Sequence, residues 1–119
     1  MTTKLTTRNS VQVPNLESLK EGRVVVAGTG LYTVGANRRA VVKSISGNLD
    51  AVGADATYAV AILRGGTFRP VGQHVAVNAI SVYTGEMLLI AADIITNVGD
   101  AGSTNGTMDM TASVKEFPV

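Results

Sequence analysis

The chain has 119 residues, and ten Lys and Arg against nine Asp and Glu leave a formal charge of +1. This length fits a single domain, and the near-neutral charge excludes the basic footprint that nucleic acids and anionic membrane surfaces attract. The absence of cysteine and the presence of a single histidine, His74, exclude disulfides, thiolate metal sites and multi-histidine metal centres. We therefore predict that the protein is not an enzyme and that it has no cofactor, no metal and no small-molecule substrate.

No segment resembles a membrane span or a targeting signal. The longest apolar stretches, such as residues 87–92, are six residues long, whereas a membrane helix needs about twenty. The N-terminus, MTTKLTTRNSVQVP, lacks the apolar centre of a secretory signal. We expect synthesis in the cytoplasm and no membrane partner.

The N-terminal residues 1–22 differ from the rest of the chain. Four of the first seven residues are Thr, charges alternate, and Pro14 is followed by a segment that would allow one helical turn. Such a polar segment cannot form a core of its own, so we predict an extended arm over residues 1–22 that docks on a partner. Its apolar residues would enter grooves of that partner, and they are Val11, Val13, Leu16 and Leu19.

The composition of residues 23–119 predicts β-structure. The whole chain contains 17 Val, 6 Ile and 13 Thr, and β-branched residues favour strands. Gly and Asn recur between short apolar runs, which is typical of a sandwich or barrel. The predicted strands cover residues 23–27, 31–34, 38–46, 56–63, 67–71, 75–83, 87–92 and 107–115. The prediction is one all-β, jelly-roll-like sandwich of seven to nine short antiparallel strands.

Alternation assigns the faces of two of these strands. In residues 107–115, the side chains of Met108, Met110, Ala112 and Val114 share one face and polar groups the other, which predicts one buried face. In residues 56–63, large and small apolar side chains alternate, which predicts a strand that is covered on both sides.

Three glycine-containing segments are better explained as turns than as ligand sites. Gly28-Thr-Gly30 follows an apolar strand, as in a dinucleotide-binding loop, but the third glycine position is occupied by Thr33 and a strand follows. Gly65-Gly66 and the segment 104–107 supply the positive φ angles that hairpins need.

The remaining polar candidates give no catalytic set. His74 has no evident nucleophile or orienting carboxylate beside it in the sequence, so we interpret it as a surface or interface residue. Asp93, Asp100 and Asp109 do not follow the spacing of a Ca²⁺ loop. The basic residues Arg38, Arg39, Lys43, Arg64 and Arg69 could meet phosphates if they shared a face, but no aromatic residues interleave with them. A protein contact involving Arg38 and Arg39 is the preferred interpretation.

Several of these segments, taken together, resemble small β-sandwich virion proteins of tailed bacteriophages. The family's phrases YTVPAG, AVVKSI, GADATV, GETLLL and AGD have counterparts in residues 31–37, 40–45, 53–57, 85–89 and 98–100, and the resemblance extends over about residues 30–119. Gly35 stands where the family usually has Pro. These phrases are turns and core, so the resemblance transfers no functional residue.

The resemblance implies a virion structural protein. The preferred expectation is a capsid decoration, or cement, protein on the capsid surface that docks on the major capsid protein through its arm and also contacts copies of itself as a homotrimer. The first alternative is a tail, adaptor or fibre component. The second is a carbohydrate-binding sandwich, which the absence of Trp and an aromatic content of 4% disfavour.

Overall fold

The computed structural model describes residues 16–25, 30–49, 57–100 and 107–119. It has eight strands and, over those ranges, no α-helix, which confirms the predicted all-β class. The strands are β1 (Leu16–Val25), β2 (Tyr32–Thr33), β3 (Arg38–Leu49), β4 (Tyr58–Arg64), β5 (Thr67–Pro70), β6 (Ile80–Leu89), β7 (Ile94–Gly99) and β8 (Thr107–Pro118).

The strands form two four-stranded antiparallel sheets. The first has the order β1-β8-β3-β6 and is called sheet A here; the second has the order β2-β7-β4-β5 and is called sheet B. The pairs β1·β8, β2·β7, β3·β6 and β4·β5 are nested within one another along the chain. A long hairpin folded over in this way gives the two interlocked Greek keys of a jelly roll. The predicted jelly-roll-like sandwich is thus confirmed.

The core lies between the sheets because each inner face follows the period of two that strands impose. On β8, Met108, Met110, Ala112 and Val114 are buried, as their alternation predicts. The consecutive residues 58–62 of β4 are also buried, which confirms that this strand is covered on both sides. Tyr58 is the largest side chain that is fully buried.

Three segments differ from the sequence-based assignment. Residues 16–22, assigned to the arm, belong to β1 and pair with β8 from Glu116 to Met110, so the predicted boundary after residue 22 falls inside a strand and the helical turn is absent there. In place of the separate strands predicted at 75–83 and 87–92 there is one strand, β6, over residues 80–89, and residues 75–79 and 90–92 lie outside it. Strand β7 was missed, because its polar residues Thr96 and Asn97 break the apolar pattern although both are buried.

Sheet A bends where β3 passes Val42. Between two ladder positions, β8 advances one residue, from Ser113 to Val114, while β3 advances two and β6 advances three. Such a bulge bends and twists the strands. On β6 the bend lies at Gly85, which has a φ of 141°.

Glycines occupy positions where the backbone has a positive φ angle or where a side chain would collide with a neighbour. Gly65 and Gly66 have φ angles of 57° and 80°, as in the two-residue hairpin turn that the sequence predicts between β4 and β5. Gly30 has a φ of 84°, and a Cβ there would lie 2.4 Å from Ile94 Cγ2. Gly28 and Thr29 lie outside the described residues.

Over the described ranges, no helix is long and apolar enough to cross a bilayer.

Candidate interaction surfaces

The four sheet edges differ in how they are protected against pairing with another chain. β1 carries four charged residues, Glu17, Lys20, Glu21 and Arg23. β2 has two residues, and β5 has four and ends at Pro70. β6 has ten residues and a single charge, Glu86. Because charge, shortness and proline are the features that protect edge strands, β6 is the least protected edge.

The outer face of sheet A is polar on one side and apolar on the other. Outward positions on β8 include Asp109, Thr111, Ser113 and Lys115, which pair with β1. The opposite margin carries four exposed aliphatic side chains, called the β6 stripe here: Ile80, Val82 and Leu88 of β6 and the adjacent Ile90. Isolated exposed aliphatic residues are ordinary, but a row of them on one strand margin is a candidate contact surface.

The apolar residues predicted for docking lie around the start of β1. Val11 and Val13 lie outside the described residues. Leu16 is the first residue of β1, and its backbone is opposite Glu116. Leu19 is opposite Ser113 on the outer face and is 62% exposed. The chain therefore enters the sandwich along an edge strand that presents a large aliphatic side chain to solvent.

Arg38 and Arg39 begin β3 at the same end of sheet A as Leu16, with β8 between them. Arg39 is exposed, whereas Arg38 forms an ion pair in which its Nε lies 2.9 Å from Glu116 Oε1. The two arginines therefore differ: Arg38 pairs with a residue of the neighbouring strand in its own sheet, whereas Arg39 is exposed.

Glu116 and Tyr32 connect the two sheets near that end. The Tyr32 hydroxyl donates a hydrogen bond to Glu116 Oε2, and Lys20 Nζ lies 5.0 Å from the Tyr32 ring centroid. Burial, together with this hydrogen bond to a carboxylate, raises the pKa of Tyr32. The hydrogen bond from Tyr32 and the charge of Arg38 lower the pKa of Glu116. We interpret this cluster as a structural contact between the two sheets, since each of its charged groups already has a partner within the protein.

An open cleft of about 310 Å³ lies beside this cluster, lined by Asn37, Arg38, Arg39, Ile90, Ala91 and Val119. One wall is basic and the other is aliphatic. Val119 is 74% exposed, and its backbone N–H donates to the carbonyl oxygen of Asn37. The cleft adjoins the β6 stripe at Ile90, so the two form one continuous candidate surface.

An ion pair between the partly exposed Arg64 and the buried Asp93 joins β4 to the turn before β7. Asp93 is 1% exposed, and Arg64 Nε and a terminal guanidinium nitrogen donate to its carboxylate at 2.9 and 2.5 Å. Burial alone would raise the pKa of Asp93, but the hydrogen bonds from Arg64 and from the Ile90 N–H together hold it below its ordinary value. The pair fixes the end of β4 to the turn before β7, and both of its charged groups are occupied by each other.

The other polar candidates are not brought together. His74 is an exposed loop residue. Asp93 is bound by Arg64, while Asp109 points outward from β8, and across the described ranges no three His, Asp or Glu side chains cluster as metal ligands. The predicted basic concentration is divided, because Arg38, Arg39 and Lys43 lie in sheet A whereas Arg64 and Arg69 lie in sheet B.

The β6 stripe was not predicted from the sequence. The sequence contains the pattern that indicates it: aliphatic residues occupy the alternate positions 80, 82, 88 and 90, on either side of Gly85. Dividing this segment into two strands concealed the row, because each half alone looks like an ordinary strand with a mixed face.

The structure defines an all-β jelly-roll sandwich with a row of exposed aliphatic side chains along one margin of sheet A. No protein-family model matches the sequence, and no curated protein matches it.

Proposed function

We propose that the protein is a structural component of a tailed-phage virion: a decoration protein that attaches to the major capsid protein through residues 1–15 and the β1 edge. The observation that supports this most directly is the entry of the chain into the sandwich. Residues 1–15 precede β1 in the sequence, and β1 is an edge strand of sheet A in which Leu19 is 62% exposed.

An edge strand that is preceded by a segment free to bind a partner is suited to attachment to a repeating lattice. A partner's extended segment can add to the backbone at such an edge, and side-chain pockets then supply specificity. Burying one exposed Leu contributes about 1.5–3 kcal/mol. Repetition over many symmetric copies makes such individually weak contacts effective, because each bound copy joins neighbouring subunits of the shell.

Jelly rolls occur in viral capsid proteins, lectins and cupins, so the fold alone does not select the function. Cupin-type metal chemistry needs clustered ligands, and the single histidine lies exposed on a loop. Carbohydrate binding needs aromatic platforms, and among the five aromatic residues, all within the described ranges, only Phe68 is exposed. The residue composition of the surfaces therefore favours protein contacts.

The first experiment measures the ratio of this chain to the major capsid protein in purified particles of the phage that encodes it, by quantitative mass spectrometry. A ratio near one to one supports a decoration protein. A ratio of a few per hundred would replace decoration with a tail component, and absence from particles would overturn the virion proposal.

A second experiment tests the attachment route on purified shells that lack the protein. The double variant Val11→Asp/Val13→Asp should fold normally by circular dichroism and fail to co-sediment with shells, since charges would enter an apolar contact. Thr6→Asp/Thr7→Asp introduces the same charge into the same segment and serves as the control. Equal binding by the two double variants would contradict attachment through Val11 and Val13.

A further inference from the structure

The outward side chains along β6 form a pattern that is symmetric about Gly85. The pattern reads Ile80, Val82, Thr84, Glu86, Leu88, Ile90, so that each aliphatic residue on one side of residue 85 has a counterpart at the same separation on the other. The four aliphatic side chains are 59%, 47%, 49% and 42% exposed in chain order. A twofold axis at Gly85 would superpose aliphatic positions on aliphatic positions.

We propose that a second copy of this chain packs its β6 stripe antiparallel on this one, about a twofold axis at Gly85. A twofold interface must be complementary to itself, and this row of residues meets that condition. Ile80 then meets Ile90 of the second copy, and Val82 meets Leu88. Thr84 faces Glu86 of the second copy, where its hydroxyl donates to the carboxylate.

The contact is made by outward side chains rather than by backbone pairing. Two carbonyl groups on the free side of β6 are already approached from within the molecule: Arg64 donates to Leu88 O at 3.4 Å, and the Cβ position of Gly72 lies 3.1 Å from Val82 O. For the outward faces to oppose each other, the twofold axis runs parallel to the plane of sheet A and perpendicular to β6, level with Gly85, so the bend at Gly85 falls at the axis in both copies.

Sheet A offers no equivalent self-contact at its other edge. β1 carries four charged residues, and its outward Leu19 stands among polar neighbours such as Ser113 and Thr111. The contact is therefore separate from the proposed attachment to a shell and does not depend on it. Its twofold symmetry predicts a dimer, whereas the sequence alone suggested a trimer.

The first test compares two leucine variants of the full chain by sedimentation equilibrium. Leu88→Asp should weaken dimerisation by about tenfold or more, because it buries an unpaired charge in the contact. Leu19→Asp makes the same change at an exposed site on the opposite edge of sheet A and should leave dimerisation unchanged. A wild-type chain that stays monomeric up to millimolar concentration, or equal weakening by both variants, would overturn the proposal.

The second test fixes the register, and the absence of native cysteine makes it simple. A mixture of Val82→Cys and Leu88→Cys chains should form disulfide-linked heterodimers on oxidation. Either variant alone should not crosslink, since identical positions lie six residues out of register, about 20 Å apart at 3.3 Å per residue. Efficient crosslinking of Val82→Cys with itself would indicate a parallel contact or a twofold axis at Val82, and either would contradict the twofold axis at Gly85.

The third test predicts a gain rather than a loss. The two Glu86 carboxylates lie on opposite sides of the same axis as diagonal neighbours, so they repel each other weakly. Glu86→Gln keeps the hydrogen bond with Thr84 and should tighten dimerisation about twofold to fivefold at low salt, with less effect at high salt. Weaker dimerisation of Glu86→Gln would contradict the placement of Glu86 beside the axis.

Discussion

The side-chain amide of Asn97, in β7, donates a hydrogen bond of 3.0 Å to the carbonyl oxygen of Val24, in β1. This bond crosses from sheet B to sheet A inside the core, where Asn97 is fully buried. Among the described residues, no donor reaches the Asn97 Oδ1 atom. The amide therefore ties the edge strand β1 to the opposite sheet at a position where an apolar residue would be expected.

Replacing Asn97 should destabilise the fold because the hydrogen bond to Val24 is lost. Asn97→Ala removes the donor to Val24 and leaves space in the core, and we expect the free energy of unfolding to fall by about 1–3 kcal/mol. Urea denaturation measures this change. Asn48→Ala, on the exposed face of β3, should change stability by less than about 0.5 kcal/mol. Equal losses in the two variants would refute the role of the buried amide.

Two carboxylates should make the protein less stable in acid. The pKa values of Asp93 and Glu116 are both lowered in the folded state. The unfolded state therefore binds protons first, so stability is full above the ordinary carboxyl pKa of about 4 and is lost as the pH falls below it. Thermal unfolding between pH 7 and pH 3 should show the midpoint decreasing over the acid part of this range.

Asp93→Asn separates the contribution of the buried pair. It replaces the charged partner of Arg64, so stability at pH 7 should fall by about 2 kcal/mol, and the acid dependence should become shallower. Asp100→Asn, at an exposed carboxylate, is the control and should leave the pH dependence as in the wild type. A D93N protein with the full wild-type acid dependence would show that Asp93 does not contribute to it.

The Tyr32 hydroxyl should control the acidity of Glu116. Tyr32→Phe removes the hydrogen bond that is the main cause of the lowered pKa of Glu116, so this pKa should rise toward the ordinary glutamate value. NMR titration of the Glu116 carboxyl carbon measures the shift. Tyr83→Phe, whose ring lies on β6 opposite Ile45, should leave that pKa unchanged. A pKa of Glu116 that is insensitive to Y32F would mean that the charges of Arg38 and Lys20 set it without the hydroxyl.

Two glycines with positive φ should respond differently to alanine. At Gly66 a Cβ meets nothing within 4 Å, so Gly66→Ala incurs only the cost of the left-handed conformation, about 1 kcal/mol. At Gly30 the added Cβ would also collide with Ile94 Cγ2 and lie 3.0 Å from Ile95 O, and such overpacking adds about 1–3 kcal/mol. Comparable unfolding free energies for G30A and G66A would show that β7 yields to the added atom.

The accuracy of the sequence-based prediction varies with how local the signal is. The alternation in residues 107–115 gave the inner face of β8 correctly, because side-chain direction in a strand depends only on position along it. The same rule failed for β7, whose buried Asn97 is polar because its partner, Val24, is supplied by a distant strand. The segment 16–22 has no apolar alternation and became a strand because β8 offers it a free edge.

The amino-acid sequence by itself determined the all-β class, the turn at Gly65-Gly66 and the buried faces of β4 and β8, since composition and period act within a few residues. The tertiary structure decided which strands are edges, that the β6 stripe forms one row, and that Arg64 meets Asp93 and Tyr32 meets Glu116. Those relationships join residues 29 and 84 positions apart. Strand order alone brings such residues together, because the local pattern records which side of a strand is buried and not which strand lies beside it.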